Sequence, residues 1–248
     1  MSQPVKLLQQ KTFHIARKLE QFLGVPLPPK RAAKPLDMLI ATVLSQNTND
    51  KNSHRAYLQL RKKYPSWSVV LVASTRGIAS AIRVGGMANQ KSGCIKSILT
   101  TISERFGSLD LRFLRTKTDD EIFEILLSLD GVGSKTAACV LLFSLGRNIF
   151  PVDTHIHRIC GRLGISPHCT TPEKTFEWMK RIIPAGKAYS FHTNLIRFGR
   201  RVCRSARPLC GACPLYDECR FAEKKKFRNS SPELRARREH NFMLLDHI

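Results

Sequence analysis

The chain has 248 residues, of which 42% are hydrophobic and 24% are charged, a composition typical of a folded globular protein and not of a disordered one. Its 41 Lys and Arg residues outnumber its 19 Asp and Glu residues, and the formal net charge of +22 favours a polyanionic partner, with nucleic acid as the first expectation. A membrane surface or simple solubility would also explain the charge, but no apolar run approaches the roughly 20 residues of a spanning helix, so we expect no membrane partner.

The start of the chain predicts a helix followed by a linker. Its sequence, MSQPVKLLQQKTFHIARKLEQF, lacks the continuous apolar core of a signal peptide, so we expect an intracellular protein, in the cytoplasm or nucleoid if the source is prokaryotic. The stretch is basic and mildly amphipathic, which leaves a role as an organellar transit segment open. A proline cluster at Pro26, Pro28 and Pro29 predicts the end of this first helix.

The pattern after the linker is helical. Alternation of period two with hairpin dipeptides is missing, which favours an all-α protein over a mixed one. Two segments have apolar residues at steps of three and four, which predicts helices with one buried face. These residues are Leu36, Leu39, Ile40, Val43 and Leu44 in the first segment, and Ile122, Ile125, Leu126 and Leu129 in the second.

The run LDGVGSKTAACVLL, residues 129–142, predicts a helix, a tight hairpin and a second helix. Gly131 and Gly133 can adopt positive φ and leave the backbone N–H groups open to a phosphate, while the next helix directs its positive end at the anion. We therefore expect a DNA contact at Gly131, Val132, Gly133 and Ser134. An ordinary glycine-containing turn is the alternative, and a P-loop fits less well because the glycines are too close together.

Two side chains near this hairpin are candidates for chemistry. Lys135 begins the second helix, where the helix dipole opposes a further positive charge, and a partly neutral amine there could act as a nucleophile; most lysines are only solvated charges. Asp153 precedes another helical run and is best interpreted as its N-cap, although a carboxylate fixed in that way could also work on a substrate.

Four closely spaced cysteines near the C-terminus predict a metal site. Cys203, Cys210, Cys213 and Cys219 have six, two and five residues between them, and because we expect an intracellular protein, a disulfide framework is the less favoured interpretation. Zinc sites usually show two close pairs, whereas the wide flanking gaps suit a bulkier iron-sulfur cluster; both remain open on spacing alone.

Taken in order, LDGVGSKTAACVLL, PVDTHIHRICGRLG and the cysteine spacing closely resemble the endonuclease III branch of the helix-hairpin-helix DNA glycosylases, over about Pro35 to Phe221. The resemblance implies an all-α fold of two helical domains with a DNA-binding cleft between them. The implied parts are residues 1–35 as an N-terminal helix and linker packing with the cluster domain, 36–148 as a six-helix domain with the helix-hairpin-helix, 149–222 as an iron-sulfur cluster domain, and 223–248 as a basic tail.

Carried over residue by residue, the resemblance implies that Lys135 is the nucleophile and Asp153 the catalytic carboxylate. It also implies that a 4Fe-4S cluster is held by Cys203, Cys210, Cys213 and Cys219. The implied reaction is base excision from duplex DNA that contains oxidised pyrimidines, with β-elimination at abasic sites, carried out by a monomer. A different base preference, for mismatched thymine or uracil, or a catalytically silent DNA-binding module, are the alternatives.

The residues that fill the gap left by a flipped base depart from the family pattern. Where the family has a glutamine, this chain has Asn47 with Gln46 beside it, and either amide could enter the gap and contact DNA. The second wedge position falls on Met87. The alternatives are a polar helix end and a buried methionine. Five arginines are candidate phosphate contacts, each of which could instead be a solvated charge. They are Arg147, Arg158, Arg200, Arg201 and Arg204.

Overall fold

The computed structural model of the protein describes residues 3–230, with side chains from residue 5 onward. Within that range the chain forms α-helices and short 3₁₀ helices and contains no β-strand, so the prediction of an all-α protein is confirmed. No described helix is both long and apolar enough to cross a membrane. Of the basic tail predicted from residue 223, only residues 223–230 lie within the described part.

The described residues form eleven α-helices. In chain order they are α1 (Gln3–Leu23), α2 (Pro35–Ser45), α3 (Asp50–Lys63), α4 (Trp67–Val72), α5 (Thr75–Ile82), α6 (Ala88–Phe106), α7 (Asp119–Leu127), α8 (Ser134–Phe143), α9 (Thr154–Leu163), α10 (Pro172–Met179) and α11 (Ala188–Arg201). Short 3₁₀ helices lie at Arg83–Gly85, Arg112–Thr116, Cys210–Ala212 and Ala222–Phe227. Residues 24–34, which contain the proline cluster, form no helix, as the prolines predicted.

The described chain divides into two compact units, and one of them consists of residues 29–147. It contains six α-helices of eight or more residues and the six-residue α4. Helix α2 is its centre: every residue from Met38 to Leu44 is buried, and the helix packs against α3, α6 and α8. A helix that is apolar on all sides has to be surrounded by others. Because α2 is buried as far as Leu44, the chain returns to the surface of this unit at Gln46 and Asn47.

Helix α7 leads into the hairpin and begins with a capping box. The Thr118 side chain accepts a hydrogen bond from the Glu121 N–H, and the Glu121 carboxylate accepts one from the Thr118 N–H. The helix ends at Leu127, two residues before the last member of the predicted apolar face. Leu129 is nevertheless buried, because it lies in the turn that follows. The apolar period thus predicted the burial of Leu129 correctly, but it placed the end of the helix two residues too late.

The other unit consists of residues 3–28 and 148–230, so it is built from both ends of the described chain. Helix α1 packs along α11, and α9 packs against α10 and α11. The Glu20 carboxylate of α1 accepts hydrogen bonds from Lys187 Nζ at 3.0 Å and from Ser190 Oγ at 2.7 Å. Asn194 of α11 donates to the Gly24 carbonyl at 2.9 Å. Polar contacts therefore fix the register of two helices that are far apart in sequence.

Candidate active site and cysteine cluster

The hairpin between α7 and α8 is closed by a hydrogen bond from the Val132 N–H to the Leu129 carbonyl at 3.1 Å. Gly131 has a φ of +73°, and a Cβ atom on it would lie 2.5 Å from Cys94 Sγ, so no larger residue fits here. The expectation of positive φ is wrong for Gly133, whose φ is −96°, because it serves as the extended N-cap of α8. One glycine makes the turn and the other begins the helix.

The first turn of α8 is open to an anion. Its N-cap, Gly133, provides no side-chain cap, so the N–H groups of Ser134, Lys135 and Thr136 stay available to a ligand, and the helix dipole adds positive potential there. The hairpin itself lines an open depression of about 570 Å³, formed by residues 127–133. This arrangement can hold a phosphate group against backbone N–H groups.

Lys135 is the second residue of α8 and is half-buried. Among the described residues its Nζ atom has no hydrogen-bond acceptor and no acidic partner, unlike many lysines of this chain. The amine at this position is therefore not committed to holding the fold together. An uncommitted amine next to an anion-binding turn is suited to react with a bound substrate.

Asn47 and Met87 lie side by side at the surface of the same unit. Both are non-glycine residues with a φ of 50°, and Asn47 Nδ2 lies 3.5 Å from Met87 Sδ. The Met87 side chain is 46% exposed, so the alternative of a buried methionine is wrong. Gln46 instead turns towards the hairpin, where its Nε2 donates to the Gly131 carbonyl at 3.4 Å. The structure thus brings the two candidate wedge residues together and gives Gln46 a different contact.

Asp153 caps α9, which confirms the capping interpretation. Its Oδ1 accepts a hydrogen bond from the Ile156 N–H at 2.8 Å, and the side chain is half-buried. Its Oδ2 has no hydrogen bond to any residue of the described range. The carboxylate is therefore held by one oxygen and keeps the other for a ligand.

The segment before Asp153 is fixed by burial. Phe150 and Val152 are each 3% exposed, and the Pro151 carbonyl lies 2.9 Å from Nδ1 of the buried His192. His192 is thus used for packing against this segment. A carboxylate that follows such a segment has little freedom to move.

The four predicted ligand cysteines lie together at the end of the unit built from both chain ends. Burial is the main cause that raises the pKa of the Cys213 thiol to about 12; a hydrogen bond with the Leu215 backbone opposes the rise, and the neighbouring thiols of Cys203, Cys219 and Cys210 add to it. Burial also raises the pKa of the Cys210 thiol, and the neighbouring thiols of Cys219 and Cys203 raise it by smaller amounts. The four sulfur atoms are therefore close enough to interact electrostatically.

No three His, Cys, Asp or Glu side chains within the described residues are arranged to hold a single metal ion. Four thiols contributed by one loop, partly shielded from water, are the donor set that 4Fe-4S clusters use in proteins. The Phe221 N–H lies 3.4 Å from Cys219 Sγ, and Arg162 Nη1 lies 3.4 Å from Cys203 Sγ. N–H donors of this kind stabilise sulfur that carries negative charge. The residues present therefore fit such a cluster.

Arg162 of α9 contacts the cysteine loop through several hydrogen bonds and one aromatic ring. Besides Cys203, its guanidinium donates to the carbonyl groups of residues 204 and 205 at 2.8 and 3.0 Å. Its Cζ also lies 4.1 Å from the centre of the Phe221 ring, a cation–π contact. In the sequence, Arg162 is marked by nothing except its place inside the motif PVDTHIHRICGRLG, and its role depends on contacts about 40 residues away.

The segment after the last cysteine folds back over the loop. A Cβ atom on Gly211, between two of the cysteines, would lie 2.2 Å from the Arg228 carbonyl oxygen, so only glycine fits beneath this segment. Lys224 Nζ donates to the Cys219 carbonyl at 2.7 Å, and Ser230 Oγ donates to the Pro208 carbonyl at 3.1 Å. Residues 222–230 therefore act as a cover for the cysteine loop.

Two of the candidate phosphate-binding arginines have structural roles instead. Arg147 Nη2 donates to the carbonyl groups of Arg115 and Lys117 at 3.2 and 3.0 Å. Arg158 Nη2 donates to the Cys203 carbonyl at 2.8 Å and is half-buried. Their guanidinium groups are engaged with backbone oxygens, which explains why a basic residue in this chain does not always mark the DNA-binding surface.

Comparison with known proteins gives the same assignment by an independent route. Residues 40–185 match a family model described as HhH-GPD superfamily base excision DNA repair protein. Endonuclease III of Thermotoga maritima is 35% identical over 191 residues, which cover 77% of this chain and 85% of that protein. A candidate DNA glycosylase of Arabidopsis thaliana is 39% identical over 172 residues, 69% of this chain, and the matched part spans 58% of the plant protein's length.

A solved structure shows the same fold. It is a trapped covalent intermediate of an endonuclease III with DNA, and it matches with a TM-score of 0.73 at 26% identity, covering 88% of this chain and 97% of that one. The helical units, the hairpin and the sequence matches agree with one another. The chain belongs to the HhH-GPD superfamily of base excision DNA repair proteins, and within it to the endonuclease III family.

Proposed function

We propose that the protein is a bifunctional DNA glycosylase and abasic-site lyase that acts on oxidised pyrimidines in duplex DNA. The observation that carries the proposal is Lys135, an amine without a partner among the described residues, placed directly after the hairpin of a chain of this family. The trapped complex of the similar endonuclease III, a covalent intermediate with DNA, supports covalent chemistry of this kind.

In the proposed reaction the Lys135 amine attacks C1′ of the deoxyribose. A bond forms between Nζ and C1′ while the bond from C1′ to the base breaks, and the base leaves with the electron pair. Loss of a proton from nitrogen and opening of the sugar ring give a Schiff base. Removal of a C2′ proton then expels the 3′ phosphate, which cleaves the strand by β-elimination.

Asp153 has two roles in the proposal. Its carboxylate stabilises the positive charge that develops on the sugar as the base leaves, and it helps to deprotonate the attacking amine. The hydrogen bond from the Ile156 N–H holds one oxygen in place, and Oδ2 is the oxygen proposed to carry out this chemistry. A preorganised carboxylate needs no reorganisation during the reaction.

The surface of the unit formed by residues 29–147 supports DNA binding and base extrusion. We propose that the hairpin and the first turn of α8 bind a phosphate through backbone N–H groups. We also propose that Asn47 fills the space of the flipped nucleotide and that Met87 separates the neighbouring base step. Asn47 is favoured over Gln46 because Gln46 is held by the Gly131 carbonyl.

We further propose that Cys203, Cys210, Cys213 and Cys219 hold a 4Fe-4S cluster. When bound, such a cluster supplies iron–thiolate bonds that cross-link the loop. The N–H donors near the sulfur atoms and the cover formed by residues 222–230 support this proposal. The cluster and the cover would then stabilise the cysteine loop, which lies in the same unit as Asp153.

The purified protein is expected to contain about four iron atoms per chain and to show a broad visible absorption band. Replacing Cys213 by alanine should remove the band and lower Tm by about 10 °C, because the loop loses its cross-link. Cys169→Ala is the matched control, since Cys169 is also half-buried but lies outside the ligand set. A colourless wild-type protein that contains zinc would contradict the cluster.

The test of the proposed function is cleavage and borohydride trapping on a panel of duplexes. The panel contains an abasic site, thymine glycol, mismatched thymine, uracil and undamaged DNA. Wild-type protein is expected to cleave the abasic and thymine glycol duplexes and to form a covalent adduct with each after reduction. Preference for the mismatched bases would change the substrate assignment. Salt-sensitive binding with no cleavage of any duplex would identify a silent DNA-binding module instead.

A further inference from the structure

Lys91 is a buried lysine without a carboxylate partner. It lies in the first turn of α6, is 3% exposed, and makes no ion pair with any described residue. Burial lowers the pKa of its amine. Burying an ammonium group is costly unless it forms strong hydrogen bonds, so its contacts need an explanation. Its Nζ donates to the Leu44 carbonyl at 2.9 Å and to the Gly85 carbonyl at 2.8 Å.

Both carbonyl groups lie at the ends of helices. Leu44 is in the last turn of α2, and Gly85 ends the 3₁₀ helix Arg83–Gly85. Such carbonyls have no partner inside their own helix and carry the negative end of its dipole, so an ammonium group stabilises them. Asn47 follows three residues after the first carbonyl, and Met87 follows two residues after the second. We call residues 46–49 and 86–87, which contain Asn47 and Met87, the wedge loops. Lys91 thus donates a hydrogen bond to the carbonyl just before each wedge loop.

The tips of these two loops have unfavourable backbone conformations. Asn47 and Met87 both have a φ of 50°, a left-handed backbone conformation that is unfavourable for a residue with a side chain and persists only when the surroundings impose it. Asn47 Nδ2 and Met87 Sδ lie 3.5 Å apart. One side chain that holds both loops is a direct way to impose such a paired conformation.

We propose that Lys91 is a positioning residue for base extrusion. Its ammonium group fixes the loop of Asn47 and the loop of Met87 to each other, so that the two side chains enter the duplex as one rigid wedge. Lys91 is too deeply buried to contact DNA itself. This inference rests on the proposed function, because it takes Asn47 and Met87 as the residues that enter the DNA.

Helix α6 offers a matched control in Lys96. Its Nζ also donates to two carbonyl groups at the end of a helix, those of Leu71 and Ala73 at the end of α4, the latter at 2.8 Å. Neither carbonyl lies just before a wedge loop. Lys91→Met and Lys96→Met therefore remove the same kind of contact from one helix, and only the first releases the wedge.

The experiment compares two single-turnover reactions of each protein. Excision of thymine glycol from duplex DNA requires extrusion, whereas cleavage of a single strand that contains an abasic site requires only the lyase chemistry. Lys91→Met is expected to slow the first reaction by about 10- to 100-fold and the second by less than about 2-fold. Lys96→Met should change neither reaction by more than about 2-fold. If Lys91→Met fails to fold, Lys91→Gln, whose amide can reach one carbonyl, replaces it.

Equal slowing of both reactions by Lys91→Met, or the same duplex rate in both variants, would overturn the inference. A separate readout covers failure of the proposed function. If the wild type cleaves neither substrate, fluorescence of 2-aminopurine beside the lesion reports extrusion without excision. A rise with wild type and Lys96→Met but not with Lys91→Met supports the inference, and equal fluorescence in all three proteins overturns it.

Discussion

Replacing Lys135 by alanine is expected to abolish the borohydride-trapped adduct and to slow cleavage at an abasic site by at least about 10³-fold. The reason is that, in the proposed reaction, Lys135 supplies the amine that bonds to C1′, and water cannot form a Schiff base. The adduct is measured by its reduced mobility on a denaturing gel, and the cleavage rate under single-turnover conditions. Duplex binding should persist, because the hairpin is proposed to bind phosphate through backbone N–H groups, which the substitution leaves in place.

The matched control for this variant is Lys135→Arg. Arginine keeps the positive charge near the phosphate but stays protonated and cannot act as a nucleophile, so binding should be retained and the adduct lost. Neither variant should change the free energy of unfolding by more than about 0.5 kcal/mol, because the Lys135 amine has no partner in the described structure. An adduct that persists in Lys135→Ala would show that another group performs the chemistry.

Asp153→Asn is expected to slow excision of the damaged base by about 10²- to 10⁴-fold with little change in Tm. Asparagine is as good an N-cap as aspartate, so the hydrogen bond from the Ile156 N–H and the start of α9 should be preserved. What is lost is the negative charge that is proposed to stabilise the sugar cation and to help deprotonate the amine. Single-turnover excision and thermal unfolding of the same preparation separate these two effects.

The control for the effect of Asp153→Asn on folding stability is the loss of the N-cap of another helix, α10. Thr171 caps α10 in the same unit by accepting a hydrogen bond from the Lys174 N–H at 3.2 Å. Thr171→Ala should cost about 1 kcal/mol of folding stability and leave the excision rate unchanged. If Asp153→Asn lowered Tm as much as Thr171→Ala does and kept full activity, Asp153 would be a cap and nothing more.

The parts of the site that the sequence predicted are those fixed by short stretches of chain. A glycine at a turn with positive φ, an aspartate one residue before a helix, and the period of α2 all depend on neighbours within a few residues. Gly131 and Asp153 could therefore be identified before any packing was known. The prediction failed for Gly133 because an N-cap and a turn residue have similar sequence preferences.

The missed residues are basic side chains whose partners are backbone carbonyls far away in the chain. Arg162 donates to the Arg204 carbonyl, 42 positions distant, and Lys91 donates to the Leu44 carbonyl, 47 positions distant. Arg158, predicted as a phosphate contact or a solvated charge, likewise donates to the Cys203 carbonyl. A lysine or arginine on a helix predicts a solvated charge or a phosphate contact unless the tertiary packing is known. Because the net charge is +22, the composition does not distinguish the few lysines and arginines that stabilise the fold from the many that are solvated.

The pairing of α1 with α11 has a consequence for biosynthesis. Helix α1 leaves the ribosome before α11, which follows about 180 residues later, and this takes roughly 10–35 s at about 5–20 residues per second. Ile15 and Leu19, fully buried in the finished protein, stay uncovered during that time. The contiguous unit of residues 29–147 can fold meanwhile, because its contacts lie within one stretch of chain. The unit of residues 29–147 can therefore be complete before α1 gains its partner α11, and the uncovered apolar face of α1 is a natural site for a chaperone to bind.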